Sequence, residues 1–146
     1  MKPLNQTPRR FPTTAERTAT VRTQYGTILL VEDDQPVRRY LETVLQRAGY
    51  QVVTATDGLD ALKVALSRPV QAVITDAIMP HLSGHELCRF LRRHPMLAQL
   101  PLIMLSGLGG ASLMPEIKER PDVCLAKPIR AEDLTDCLAG LLRKAA

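Results

Sequence analysis

From Thr27 onward, short apolar runs alternate with segments of helical periodicity. The runs, rich in Val, Ile, Leu and Ala, occupy residues 27–32, 51–55, 70–76, 101–106 and 123–127. A strand that is apolar on both faces must be covered on both faces, which is typical of a parallel sheet between two layers of helices. Right-handed crossovers through the intervening helices then give a doubly wound domain. We therefore predict an α/β fold with a five-stranded parallel sheet and five helices.

The segments between the runs carry helix start signals. Thr56 or Asp57 can cap the second helix, and Ser83 with Glu86 has the spacing of a capping box for the third. The fourth helix, predicted between the fourth and fifth runs, has the weakest sequence signal because glycine and proline interrupt it. The last apolar repeat, near the C-terminus, predicts the fifth helix.

The first 26 residues differ from the rest of the chain in charge. They carry five of the 19 basic residues and one of the 15 acids, so the remaining 14 basic and 14 acidic residues cancel and the net charge of +4 belongs to this segment. Its prolines and threonines, without apolar periodicity, predict a disordered basic leader or linker over residues 1–26, ahead of one domain over 27–146. A basic tail is weak evidence for a nucleic-acid-binding fold, so we expect no direct binding of nucleic acid.

Hydropathy and cysteine content argue against two further classes of protein. No apolar run approaches the ~18 residues that a membrane span requires, and the N-terminus lacks the apolar stretch of a signal peptide. Cys88, Cys124 and Cys137 are an odd number without a CxxC pair, which fits neither a disulfide framework nor a zinc ribbon. We therefore expect a cytoplasmic protein with reduced thiols and no membrane insertion.

Acidic residues stand where two of the apolar runs end. Glu32, Asp33 and Asp34 close the first run, and Asp76 closes the third. Periodicity does not fix strand order, but in the flavodoxin-like order 2-1-3-4-5, which we predict, strands one and three are neighbours at the point where ligands bind. Carboxylates that converge there repel one another unless one is protonated or a cation binds, and hard oxygen ligands suit Mg²⁺ or Mn²⁺. Taken singly, each acid is better explained as a helix cap, and the metal site is indicated only by the whole set.

Two more polar residues end apolar runs, Ser106 the fourth and Lys127 the fifth. The carboxyl ends of parallel strands share one edge of the sheet, so a hydroxyl and a cation are expected beside the carboxylates. Acids on a metal ion, a cation and a hydroxyl together indicate phosphoryl transfer, where catalysis is chiefly positioning and charge neutralisation. On their own, a turn serine and a solvated lysine are the simpler interpretations.

Four motifs occur in order, each at a predicted strand end. They are ILLVEDD (28–34), DAIMPHLSG (76–84), LSG (105–107) and AKPI (126–129). Together they resemble the response-regulator receiver domains of two-component signalling over residues 27–146. The resemblance implies a phosphorelay receiver that accepts a phosphoryl group from a phosphohistidine onto Asp76 in a Mg²⁺-dependent step. The implied donor is a sensor histidine kinase or a histidine phosphotransfer protein. Such a domain is a signalling switch with self-catalysed phosphoryl acceptance, without turnover on a diffusible substrate.

The resemblance also implies a metal-ligand set. Asp33 would bind the ion directly, and Glu32 would bind it through water. Asp76 itself and the backbone carbonyl of Ile78 would complete the protein ligands. These are oxygen ligands only, as expected for Mg²⁺ or Mn²⁺.

The resemblance assigns contacts to the phosphoryl group as well. Ser106 would bond a phosphoryl oxygen and move with it, and Lys127 would pair with the same group, its position fixed by a cis bond to Pro128. Receiver domains usually have Tyr or Phe three residues before the lysine, whereas this chain has Cys124. We therefore do not expect the usual aromatic readout of phosphorylation.

Two other functions remain compatible with these residues. A metal-dependent phosphatase would use an aspartate as covalent nucleophile, but such enzymes commonly place a DxD-type nucleophile on the first strand, whereas Asp76 is on the third. A pseudo-receiver would serve only as a protein-binding module. The complete set of site residues argues against this module, while Cys124 keeps the alternative open.

Overall fold

The computed structural model describes residues 25–107 and 119–145. Its elements are β1 (Thr27–Val31), α1 (Gln35–Arg47), β2 (Gln51–Ala55), α2 (Gly58–Ser67), β3 (Ala72–Asp76), α3 (Gly84–Arg93), β4 (Leu102–Ser106), β5 (Val123–Ala126) and α4 (Ala131–Ala145). All five predicted strands are present, each within two residues of its predicted bounds. The described residues contain four helices instead of five, because the helix predicted between β4 and β5 falls largely outside them. Most of the predicted 1–26 leader lies outside them too.

The strands form one parallel sheet in the order β2-β1-β3-β4-β5, so the predicted order is confirmed. In the centre of the sheet, Leu30 of β1 lies opposite Thr54 of β2 on one side and Ile74 of β3 on the other. Every residue of β3 and β4 is buried, whereas the edge strands β2 and β5 are partly exposed. This order places the carboxyl ends of β1 and β3 side by side, where a ligand site is expected.

Helices cover both faces of the sheet and create two apolar cores. Because successive side chains of a strand point to opposite faces, Leu29 and Val31 of β1 pack with α2 and α3, whereas Ile28 and Leu30 pack with α1 and α4. Each fully buried side chain of this size contributes about 1.5–3 kcal/mol relative to an exposed one. Within residues 25–107 and 119–145, no helix has both the length and the apolar character needed to cross a membrane.

Local signals set the helix ends that border the carboxyl edge of the sheet. The Asp57 side chain caps α2 by accepting a backbone hydrogen bond at 2.8 Å, and Ser83 with Glu86 forms the predicted capping box of α3. Gly84, the first residue of α3, lies so close to β3 that a Cβ atom there would be 2.0 Å from the Asp76 carbonyl oxygen. Only glycine fits this contact, so α3 begins directly against the end of β3.

Candidate functional site

The structure brings the polar side chains from four strand ends to one edge of the sheet. Glu32 and Asp33 follow β1, Asp76 ends β3, Ser106 ends β4 and Lys127 follows β5. The backbone N–H of Lys127 donates to the carbonyl oxygen of Ser106 at 2.8 Å, so the ends of β4 and β5 stay in register as they leave the sheet. The parallel sheet therefore gathers hydroxyl, ammonium and carboxylate groups in one place.

Three carboxylates form a cluster at this edge. Oxygen atoms of Glu32, Asp33 and Asp76 all lie within 4.8 Å of one another. Glu32 is fully buried and Asp76 is 8% exposed, whereas Asp33 is open to solvent. Carboxylates this close and this poorly hydrated destabilise one another when they are ionised. Because all the ligand atoms are oxygens and one side faces water, the cluster fits a divalent ion such as Mg²⁺ that retains part of its hydration shell.

Lys127 bridges two of these acids. Its Nζ donates to Oε1 of Glu32 and to Oδ2 of Asp76, both at 3.1 Å. Burial alone lowers the pKa of Lys127, but the hydrogen bonds to Asp76 and Glu32 outweigh burial and raise the pKa above its ordinary value. The ammonium therefore stays charged at neutral pH and balances part of the negative charge of the cluster.

Glu32 has a strongly altered proton affinity. Burial raises the pKa of Glu32 from 4.5 to about 7, and the charge of Asp76 adds to the rise. A hydrogen bond from the backbone N–H of Asp34, at 3.2 Å, and the contact with Lys127 oppose the rise without cancelling it. Without a divalent cation, Glu32 therefore exchanges its proton near neutral pH.

The carboxylate of Asp76 is held in a defined orientation but remains reachable. Its Oδ1 accepts a hydrogen bond from the backbone N–H of Ala77 at 2.9 Å, and its Oδ2 therefore faces Lys127. The Thr75 hydroxyl donates to the Asp76 carbonyl oxygen at 3.0 Å, and Gly84 packs against the same carbonyl. Backbone and side chain are thus both fixed, while 12% of the side chain stays exposed to an incoming reactant.

Three further residues that the sequence predicts for the site lie next to the carboxylates and Lys127 at this edge. Ser106 is 7% exposed at the end of β4. The peptide bond between Lys127 and Pro128 is cis, as the resemblance implies. Ile78 lies in the loop after β3 with its side chain 80% exposed, and the role of its carbonyl as a ligand stays a prediction.

Cys124 occupies the position where receiver domains usually have an aromatic side chain. It packs, half-buried, against the core between the sheet and the α2–α3 layer, which also contains Cys88. Burial raises the pKa of both thiols, that of Cys88 to about 11. Both therefore stay protonated at neutral pH and behave as small apolar side chains.

Arg38 also reaches this edge of the sheet, although none of the four sequence motifs includes it. Its Nη1 donates to the carbonyl oxygen of Glu32 at 2.9 Å and lies 3.5 Å from the carbonyl oxygen of Asp33. The spacing of Arg38 in the sequence could have predicted this position. Arg38 stands four residues after Asp34, the N-cap of α1, so it lies one turn further along on the same side of the helix. That side of the helix faces the end of β1.

Comparisons with known proteins agree with this fold and site. The family model of the response regulator receiver domain matches residues 28–139. The transcriptional regulatory protein GltR of Pseudomonas aeruginosa is 37% identical over 119 residues, which are 81% of this chain and 49% of GltR. Protein PilG of the same organism is 35% identical over 111 residues, which are 73% of this chain and 80% of PilG. The chain spans about half the length of GltR and of several other curated relatives, so the activities of those whole proteins are not transferred to it.

Solved structures of the same class superpose on the described fold. A putative response regulator from Chloroflexus aurantiacus matches with a TM-score of 0.74 and 34% identity, covering 81% of this chain and 98% of that one. The receiver domain of a sensor histidine kinase from Pseudomonas aeruginosa, which has a magnesium ion coordinated in its active-site cleft, matches with a TM-score of 0.74 and 28% identity, covering 81% and 98%. With a family model that matches most of its length, this chain belongs to the response regulator receiver domain family of two-component signalling.

Proposed function

We propose that this receiver domain is switched by transfer of a phosphoryl group from a phosphohistidine to Asp76. The observation that carries the proposal is the environment of one carboxylate. Asp76 lies 3.1 Å from the Lys127 ammonium, and its oxygens lie within 4.8 Å of those of Glu32 and Asp33. A nucleophile beside a cation and a potential metal site is what phosphoryl transfer requires, because that reaction depends on position and on neutralised charge.

In the proposed step, a carboxylate oxygen of Asp76 attacks the phosphorus atom of the donor. The new O–P bond forms as the P–N bond breaks, and the electron pair of the broken bond returns to the imidazole nitrogen of the donor histidine. Lys127 would pair with a phosphoryl oxygen and offset the charge that gathers there. The Ser106 hydroxyl, at the neighbouring strand end, would donate to another phosphoryl oxygen.

A divalent ion is part of the proposal. Asp33, Asp76 and the carbonyl of Ile78 would hold Mg²⁺ or Mn²⁺ directly, with Glu32 acting through water. When bound, the ion neutralises negative charge on the phosphoryl oxygens. The fit of three carboxylates to such an ion supports this assignment, as does the magnesium ion in the related kinase receiver domain from Pseudomonas aeruginosa.

A sensor histidine kinase or a histidine phosphotransfer protein is the phosphoryl donor that we propose. Receiver domains are signalling switches, so the chain would accept one phosphoryl group and turn over no diffusible substrate. The family match does not favour the phosphatase or the pseudo-receiver module. The altered readout at Cys124 and the cytoplasmic location stay predictions.

The direct test is labelling with a small phosphoryl donor. Incubation with Mg²⁺ and acetyl phosphate should add the mass of one phosphoryl group to the intact protein, and EDTA should prevent the addition. Asp76→Asn should remove it, whereas Asp57→Asn should not, because asparagine also serves as a cap for α2. Unchanged labelling of the Asp76→Asn protein would refute the assignment of the acceptor.

A further inference from the structure

We infer that Arg38 is a positioning residue for the metal site, holding the turn that presents Asp33. The inference rests on the proposed function, because it assigns a further role within the same site. Arg38 lies on the first turns of α1 and its guanidinium reaches back over the β1–α1 turn. It contacts the carbonyl oxygens of the two residues whose side chains supply two of the three clustered acids.

Hydrogen bonds of Arg38 connect the start of α1 to the end of β1. Its backbone N–H donates to the carbonyl oxygen of Asp34 at 2.9 Å, and its Nη1 donates to that of Glu32 at 2.9 Å. On the other side, the N–H of Glu32 donates to the carbonyl oxygen of Ala55 in β2 at 3.1 Å. The backbone between β1 and α1 is therefore fixed to β2 at one end and to α1 at the other, with Asp33 between the two anchors.

Fixing this backbone matters most for Asp33. Glu32 is buried and bonded to Lys127, whereas the Asp33 side chain is open to solvent. An exposed ligand is directed at the ion mainly by the backbone that carries it, and groups that orient metal ligands commonly contribute ten- to a hundredfold in affinity, as an order of magnitude. A hydrogen bond from a charged donor is among the stronger constraints that a side chain can provide.

A second effect of Arg38 acts in the opposite direction. Its positive charge repels a divalent ion, so removing it favours metal binding by the Coulomb effect alone. The guanidinium is partly solvated and points at carbonyl oxygens, which weakens that repulsion. We therefore expect the positioning effect to exceed the repulsion, and substitution of Arg38 to weaken metal binding.

The neighbouring Arg39 provides a matched control. It is exposed on the same helix, one position further, and has the same charge. Arg38→Met and Arg39→Met therefore change the net charge equally, but only the first removes the contact with the turn. Arg38→Lys keeps the charge and shortens the reach of the donor, so it should restore part of the loss.

The experiment measures metal affinity without phosphorylation, by electron paramagnetic resonance of free Mn²⁺ during titration of the full chain. Arg38→Met should raise the Mn²⁺ Kd about tenfold, and Arg39→Met should leave it within about twofold. In an Asp33→Ala background, Arg38→Met should have an effect below about twofold, because the residue that it positions is gone. Arg38→Gln replaces Arg38→Met if the latter does not fold.

Three outcomes would overturn the inference. An unchanged or lower Kd in Arg38→Met would mean that repulsion dominates, and an undiminished effect in the Asp33→Ala background would mean that Arg38 does not act through Asp33. A wild-type chain that binds no Mn²⁺ would overturn the inference and the proposed metal site together. A wrong acceptor assignment would show in a different measurement, as labelling of the Asp76→Asn protein.

Discussion

The Nζ of Lys127 donates to Oδ2 of Asp76 at 3.1 Å, although the two residues are 51 positions apart in the chain. The contact exists because β4 lies between β3 and β5 in the sheet, so that both strand ends reach the same edge. The same ammonium also contacts Glu32, and it therefore places a positive charge inside a cluster of acids. A divalent ion and Lys127 would compete for the same carboxylates.

This competition leads to opposite predictions for binding and for reaction in Lys127→Met. Removing the ammonium should lower the Mn²⁺ Kd at least about threefold, because one repulsive charge near the ion is lost. It should also lower the rate of labelling by acetyl phosphate about a hundredfold, because a cation near the transferred group is lost. Mn²⁺ titration and the time course of intact mass measure the two effects.

Lys63→Met is the control for this prediction, since Lys63 is exposed on α2 and its replacement changes the net charge equally. We expect its Kd and labelling rate to match the wild type. A Lys127→Met protein that is labelled at the wild-type rate would contradict the role of the ammonium.

The raised pKa of Glu32 predicts how stability depends on pH in the presence of a chelator. Because burial raises the pKa from 4.5 to about 7, the folded chain binds more protons than the unfolded chain between these values. The free energy of unfolding should therefore fall as pH rises from about 5 to 8, by about 2–3 kcal/mol from this group. Lys127 does not contribute to the pH dependence between pH 5 and 8, because its pKa is raised from an ordinary value of 10.5.

Urea denaturation in EDTA at several pH values measures the effect of Glu32 when it is compared with Glu32→Gln. The glutamine variant cannot titrate, so the difference in free energy between the two proteins should change with pH in the stated direction. Saturating Mg²⁺ should flatten or reverse the wild-type trend, because an ion stabilises the ionised carboxylate. Parallel pH profiles in EDTA would show that Glu32 does not titrate as described.

The sequence predicted the layers and the strand ends because both depend on local patterns. Apolar runs identify buried strands, and the last polar residue of each run marks where the strand leaves the sheet, as it does for Asp76 and Ser106. The order of the strands did not follow from periodicity. It was predicted from the flavodoxin-like topology, and the parallel pairing of β1 with both β2 and β3 confirms it.

Contacts between distant side chains could not be predicted in the same way. The bond between Lys127 and Glu32 joins residues 95 positions apart, and it depends on how far each strand extends past the sheet. Arg38 lies near Glu32 in sequence, but its direction depends on the angle at which α1 leaves the β1–α1 turn. Such angles are set by the packing of α1 on the sheet, which a pattern of apolar residues does not specify.

Two glycines in helices should respond oppositely to alanine. At Gly84 a Cβ atom would lie 2.0 Å from the Asp76 carbonyl oxygen, so Gly84→Ala must displace α3 or the end of β3. We expect Gly84→Ala to destabilise the fold by about 2–4 kcal/mol and to slow labelling of Asp76.

At Gly140, in α4, the nearest atom to an added Cβ is the Arg143 Nη2 at 4.0 Å, so Gly140→Ala should stabilise the fold by about 0.5–1 kcal/mol. Thermal denaturation and labelling rates test both, and a neutral Gly84→Ala would contradict the described contact.

Arg92 should matter for stability without affecting the site. Its side chain is 9% exposed and donates to three carbonyl oxygens and one carboxylate, those of Ala98, Leu100, Arg120 and Asp122. Arg92→Met removes these four hydrogen bonds, and Asp122 Oδ2 keeps the one from the Leu102 N–H at 2.7 Å, so the free energy of unfolding in urea should fall by about 2–4 kcal/mol. Arg89→Met is the control, because Arg89 is 48% exposed in its pair with Glu119 and should change stability little.

The Mn²⁺ Kd should stay unchanged in both variants, since Arg92 contacts the segment that leads into β4, at the end of the sheet opposite to the carboxylates. Equal stability of the two variants would mean that Arg92 does not anchor these segments, and a weakened Mn²⁺ affinity in Arg92→Met alone would mean that the two ends of the sheet are coupled.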